Sequence, residues 1–293
     1  MINQIVGAFR FIKICFLIPV LYAVAVCKVA HAEGEQYRAL VNDLARKLLG
    51  WMGVEMTYTG RAYEPTPSGS KGVLVLSNHT SFLDIMAIYS LMSPRFVAKA
   101  EIGTWPVFGG ITRAVRAIFI ERGHRRALIR VSEAMRDSLL AGQDVMFFPE
   151  GTTSPGDRLL PLHANLIEAA VMAESKIQPI VLKYFSGNER TTRMAYTDIS
   201  IFHCLWNVVT TPHARIELEV LEPLDSSLGN RHLICSRVSE MMASALGVED
   251  PQPKKLNAPQ AAPSGLDQVL AGGAQAEKSP EPIPARTTGD NTP

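Results

Sequence analysis

From Val54 onward the chain alternates short apolar runs of strand length with longer segments of helical period, and no other feature restricts its possible folds as much. The strand candidates are residues 54–58, 72–76, 95–98, 117–120, 144–148, 179–182 and 214–220. Helix candidates lie at 82–91, 125–141, 164–176 and 230–246. This order implies an α/β domain with a mixed, largely buried sheet flanked by helices. We place that domain at residues 54–247, because beyond them eight of the nineteen prolines fall between Pro251 and Pro293 and no aromatic residue occurs. Residues 248–293 read as a disordered Pro/Ala-rich tail, unable to bury enough apolar surface to offset chain entropy.

A net charge of +1 gives no reason to expect a nucleic acid partner. Cys15, Cys27, Cys204 and Cys235 have no metal-ligand spacing, so neither a zinc site nor a disulfide framework is expected and the thiols read as reduced and buried.

Residues 1–53 precede the domain and read as membrane-anchoring helices. The run ICFLIPVLYAVAVC, residues 14–27, would span only ~21 Å as a helix, short of a ~30 Å hydrocarbon core. With Arg10 and Lys13 before it and Ala30-His31-Ala32 after it, the segment also matches a secretory signal peptide. Phe11 and Ile12 extend the apolar stretch backwards, which favours an uncleaved anchor whose basic residues snorkel. Next, Leu40, Leu44, Leu48 and Met52 fall at helical spacing in an amphipathic segment that suits the domain surface or a membrane interface; Trp51 tilts it toward the interface.

Three strand candidates end in polar residues, and in open α/β sheets ligands sit at the carboxyl ends of strands. The first end reads SNHTSFLD. Ser81-x-x-Asp84 is a capping-box pattern, which accounts for those two residues as a helix start but leaves Asn78 and His79 unexplained. Folding Asp84 back onto His79 would fix the imidazole tautomer and leave the other ring nitrogen to take a proton from a hydroxyl. The second end, PEGTTSPGDR from Pro149, offers backbone N–H donors in a tight turn beside a carboxylate, as an anionic or polyhydroxy ligand would need; a plain surface loop would look similar. The third ends in Glu121-Arg122, where the arginine suits phosphate or carboxylate, or a solvated loop.

Taken together and in order, NHTSFLD, FIER, FPEGTTS and QPIVLKY resemble the four sequence blocks of the glycerolipid acyltransferase family, lysophosphatidic acid acyltransferase type, over residues 73–183. The segment AKAEIGTWPVFG resembles the stretch between the family's first two blocks. The resemblance implies transfer of a fatty acyl group from an acyl-carrier protein or coenzyme A thioester to a lysolipid hydroxyl, with no cofactor and no metal. It makes His79 the general base and Asp84 its orienting partner, with Arg122, Glu150, Gly151 and Thr152 helping to hold the acceptor. Phosphatidic acid is the implied product, and the cytoplasmic face of the inner membrane is the implied location, because the thioester donors are cytosolic. A non-catalytic lipid-binding protein is the rival reading from another class. The chain departs from the family pattern at Thr153, where an arginine is usual, and at Arg116, where a glycine is common, so compensation by Arg116 or Arg158 becomes a question. The FPEGTTS variant followed by DRLLPLHANL is closer to the branch that includes lyso-ornithine lipid acyltransferases, whose acceptor has no phosphate.

Overall fold

A computed structural model of the protein describes residues 2–121 and 125–252. Arg122 and residues 253–293 of the tail assigned to 248–293 lie outside the described residues. Two helices, α1 (Ile2–Cys27) and α2 (Gly34–Met52), lead into strands β1 (Glu55–Gly60) and β2 (Leu74–Ser77). There follow α3 (Leu83–Tyr89), β3 (Arg95–Lys99), α4 (Phe108–Ala114), β4 (Ile118–Ile120), α5 (Arg125–Leu140) and β5 (Val145–Phe147). The remainder is α6 (Glu168–Ala173), β6 (Ile177–Ser186), β7 (Glu189–Arg190), α7 (Ile201–Thr210), β8 (Ala214–Val220) and α8 (Arg231–Leu246).

The sheet runs β1-β8-β6-β2-β5-β3-β4, with β7 paired to β6. Five neighbouring strands from β6 to β4 are mutually parallel, whereas β8 is antiparallel to β6 and carries β1 parallel to itself. Burial follows from that position. All four residues of central β2 are buried, as a parallel strand covered on both faces requires. In β8, Ala214, Ile216, Leu218 and Val220 are buried and alternate with the half-buried Arg215, Glu217 and Glu219. Two apolar layers result. Val75, Met146, Ile180 and Leu182 pack with residues of α1, α2, α3 and α7, and Leu74, Leu76, Val145 and Phe147 pack with residues of α5, α6 and α8.

The seven strand candidates correspond to seven of the eight strands, within a few residues at each end. The helix assigned to 164–176 breaks into a 3-10 turn (Asn165–Ile167) and the short α6, which Glu174 ends in a left-handed conformation. Helices α4 and α7 had no counterpart in the sequence reading. Cys204 and Cys235 are buried as expected, but Cys15 and Cys27 are exposed on α1.

The N-terminal expectations change most. α1 has 26 residues, so it measures ~39 Å, longer than the apolar run alone suggested. Among the described residues one segment, Asn3–His31, is long and apolar enough to cross a membrane. Yet α1 lies along the domain, against α7, α4 and α2. Gly7, Ile14, Leu21 and Ala25 form the buried stripe. Gly7 is required there, since a Cβ would come within 2.4 Å of Thr210 Cγ2. On the outer side Ile5, Phe9, Ile12, Phe16 and Val20 are exposed.

The buried stripe of α2 is Tyr37, Val41, Ala45, Leu49 and Met52, one position round from the Leu40, Leu44 and Leu48 row, which is half-buried. α2 also ends α3. Asn42 Nδ2 donates to the Tyr89 carbonyl at 2.6 Å and Arg46 Nε to that of Ser90 at 2.8 Å, satisfying carbonyls left over at a helix C-terminus.

Candidate active site

Parallel pairing places the ends of β2 and β5 side by side, so the His79 and Glu150 turns meet. His79 Nδ1 lies 2.8 Å from Asp84 Oδ2, and the Asp84 side chain is fully buried while about a fifth of the His79 side chain is exposed. The same Oδ2 accepts from the backbone N–H groups of Thr80 at 2.7 Å and Ser81 at 2.9 Å. Oδ1 accepts from the Tyr184 hydroxyl, which β6 brings in from the far side. The imidazole stacks on Phe148, with ring centroids 3.8 Å apart and planes 8° from parallel. The ring is thus clamped on one face and held through Nδ1, and Nε2 is the ring nitrogen that Asp84 does not bind.

Half of the expected capping box is present. Asp84 reaches back to the preceding N–H groups, but the Ser81 hydroxyl makes no cap bond and turns inward, 3.9 Å from Cys204 Sγ. Asn78, left unexplained by the helix start, has a structural role. Its side chain accepts from Leu182 N–H at 2.8 Å and donates to the Leu182 carbonyl at 3.0 Å, so it pairs with β6 as a backbone amide would where β2 ends.

Glu150 is 4% exposed and turned inward. Oε1 accepts from the His79 N–H at 2.6 Å and Oε2 from the Leu160 N–H at 2.9 Å, while Ser154 N–H donates to the His79 carbonyl at 2.7 Å. The second turn therefore grips the backbone of the first on both sides. Gly151 has φ of +70° and its N–H donates to the Phe148 carbonyl at 3.1 Å, so this tight turn demands glycine. Thr152 is exposed, and the Thr153 hydroxyl donates to the Tyr196 carbonyl.

Burial pushes the Glu150 carboxyl up to about 7 from its ordinary 4.5, against the pull of its two backbone donors. A carboxyl raised in the folded state contributes stability that is fully present below pH 4.5 and lost as the pH rises through about 7; the whole swing is about 3 kcal/mol. Glu150→Gln removes that titration and sets an amide NH2 against one N–H donor, a cost of about 1–3 kcal/mol. Thermal unfolding from pH 4.5 to 8 is expected to show the wild type's advantage over Glu150→Gln shrinking as pH rises; a constant gap would refute this account.

Two candidate phosphate partners are otherwise engaged. Arg116 Nη2 donates to the Ala32 carbonyl at 2.6 Å and its guanidinium lies over the Tyr37 ring at 4.6 Å, fastening α2 to the sheet. Its φ of +59° is the left-handed conformation that favours glycine, the family's usual residue there. Arg158 is exposed and pairs with neighbouring Asp157. Tyr184 had no assigned role in the sequence reading, although it closes the QPIVLKY block.

Comparison with known proteins shows the family and the fold. The family model described as Acyltransferase matches residues 55–183. The chain is 32% identical over 214 residues to the 1-acyl-sn-glycerol-3-phosphate acyltransferase of Neisseria meningitidis serogroup B, an alignment covering 72% of this chain and 82% of that protein. It is 34% identical over 155 residues to the lyso-ornithine lipid O-acyltransferase of Brucella abortus, covering 50% and 56%. The crystal structure of the 1-acyl-sn-glycerophosphate (LPA) acyltransferase PlsC from Thermotoga maritima superimposes with a TM-score of 0.63 at 17% identity, over 84% of this chain and 96% of that one, and so shares the fold.

Proposed function

The chain belongs to the acyltransferase family, and from that premise we propose that it moves a fatty acyl group from acyl-carrier protein or coenzyme A to the free hydroxyl of 1-acylglycerol-3-phosphate, giving phosphatidic acid. The observation that carries the reading is the His79–Asp84 pair at the joined ends of β2 and β5. In this mechanism His79 Nε2 takes the proton of the attacking hydroxyl as oxygen bonds to the thioester carbonyl. Asp84 holds the tautomer and stabilises the imidazolium; the proton then leaves with the thiolate as the C–S bond breaks. No acyl-enzyme is required, because a thioester is already activated. Glu150 and Gly151 serve by fixing the His79 backbone and shaping the turn beside it. Thr152, exposed at that turn, and Arg122 are assigned to the acceptor.

A second acceptor, lyso-ornithine lipid, is favoured by a specific observation. Thr153 stands where the family's arginine is usual and its hydroxyl is bound to Tyr196, while Arg116 is bound to Ala32 and Tyr37. One assay decides between the acceptors. With labelled acyl thioester and both lysolipids side by side, phosphatidic acid is the expected main product; consumption of lyso-ornithine lipid alone would overturn the first reading.

We assign residues 1–53 as the anchoring helices, residues 54–247 as the acyltransferase domain and the enzyme to the cytoplasmic face of the membrane. The exposed apolar face of α1 supports association with lipid, and its buried stripe supports retention of the helix, since removal would uncover Trp206, Val209 and Thr210 of α7. The membrane-bound protein is expected to keep residues 1–32, read by mass spectrometry of the intact chain; a mature chain beginning at Glu33 would defeat the assignment.

A further inference from the structure

We propose that Tyr184 is a positioning residue for acyl transfer, setting through its bond to Asp84 Oδ1 how tightly the His79–Asp84 pair holds a proton. The inference rests on the reading of His79 as the base and goes beyond it by assigning a third member of the array.

Asp84 has no exposed surface, so each lone pair of its carboxylate depends on protein donors. Oδ2 receives Thr80 N–H and Ser81 N–H as well as facing His79, whereas Oδ1 receives the Tyr184 hydroxyl from a strand 100 residues away. Tyr184 is itself 4% exposed, and both burial and the charge of Asp84 hold its proton on the phenol. The bond therefore runs one way, with Tyr184 as permanent donor.

The other titratable groups facing the pair are Glu150, whose carboxylate lies on the His79 N–H, and Cys204 of α7, kept a neutral thiol by burial that raises it to about 11. Neither bonds Oδ1. A donor on a carboxylate draws off part of its charge; without it the bare, buried oxygen makes the whole pair more basic. A base that binds its proton too tightly is occupied over more of the pH range.

The test is the pH profile of kcat/KM for the full-length protein in detergent, with lysophosphatidic acid, lyso-ornithine lipid and acyl thioester supplied. Tyr184→Phe keeps the ring and removes the donor. Its acid limb is expected to move up by about one pH unit, with activity recovering to within about threefold of wild type at high pH. Placing 3-fluorotyrosine at position 184, a stronger donor of nearly the same shape, is expected to move the limb the other way, and it decides the matter if Tyr184→Phe does not fold. A limb unmoved by the change at Tyr184 would overturn the proposal, because a tyrosine that merely fills the core would change stability and not the limb. His79→Ala in the same assay separates the two readings. Turnover there overturns the base itself, whereas an inactive His79→Ala with unmoved limbs overturns only the role of Tyr184.

Discussion

His79→Ala is expected to lower kcat/KM for acyl transfer by about 10³-fold or more while leaving the fold intact, the upper part of the range for losing a positioned general base. The geometry makes this variant clean. The bonds that hold the β2 turn to the β5 turn run through the backbone N–H and carbonyl of His79, which alanine retains. What disappears is one face of the Phe148 stack, about 0.5–1.5 kcal/mol, and the Nδ1 bond to Asp84, about 1 kcal/mol while Asp84 keeps its Thr80, Ser81 and Tyr184 donors. Assayed beside circular dichroism and thermal unfolding, the variant should melt within a few degrees of wild type. Turnover within tenfold of wild type would remove His79 from the chemistry.

Asp84→Ala is expected to fail differently, losing both activity and about 3–5 kcal/mol of stability. From sequence alone the two substitutions look equivalent. In the structure Asp84 is fully buried and serves the Thr80 and Ser81 N–H groups, the Tyr184 hydroxyl and the His79 ring, so alanine leaves several donors without an acceptor in a dry site. Chemical denaturation would show a lower midpoint than for His79→Ala. Equal stability of the two variants would mean that water or a rearranged turn replaces the carboxylate.

That contrast marks how far the sequence can be read. Strands such as Ala214–Val220 were legible because burial at one or both faces writes itself into local composition, and His79 and Asp84 because they sit five residues apart on one turn. The Asn78 pairing with Leu182 and the Tyr184 bond to Asp84 were not, since each joins residues a hundred or more positions apart and leaves no local periodicity. α7 was missed for a related reason. Its exposed side carries Phe202 beside His203 while Cys204, Val208 and Val209 are buried, so FHCLWNVV has neither a clean polar face nor a strand's alternation. The buried row of α2 fell one position from the most leucine-rich row because Tyr37 and Ala45 meet the core where the leucines only flank it.

β2 pairs with β5 on one side and with β6 on the other, and the second partner begins at Ile177. A chain emerging from the ribosome therefore presents α1 long before the strand that completes its centre. Until Ile177–Ser186 has been made, β2 has an open edge and Asp84 lacks its Tyr184 donor. The apolar helix thus precedes completion of the hydrogen bonds around Asp84 in time, and an interrupted translation product ending before β6 would carry α1 and His79 without the Tyr184 bond to Asp84.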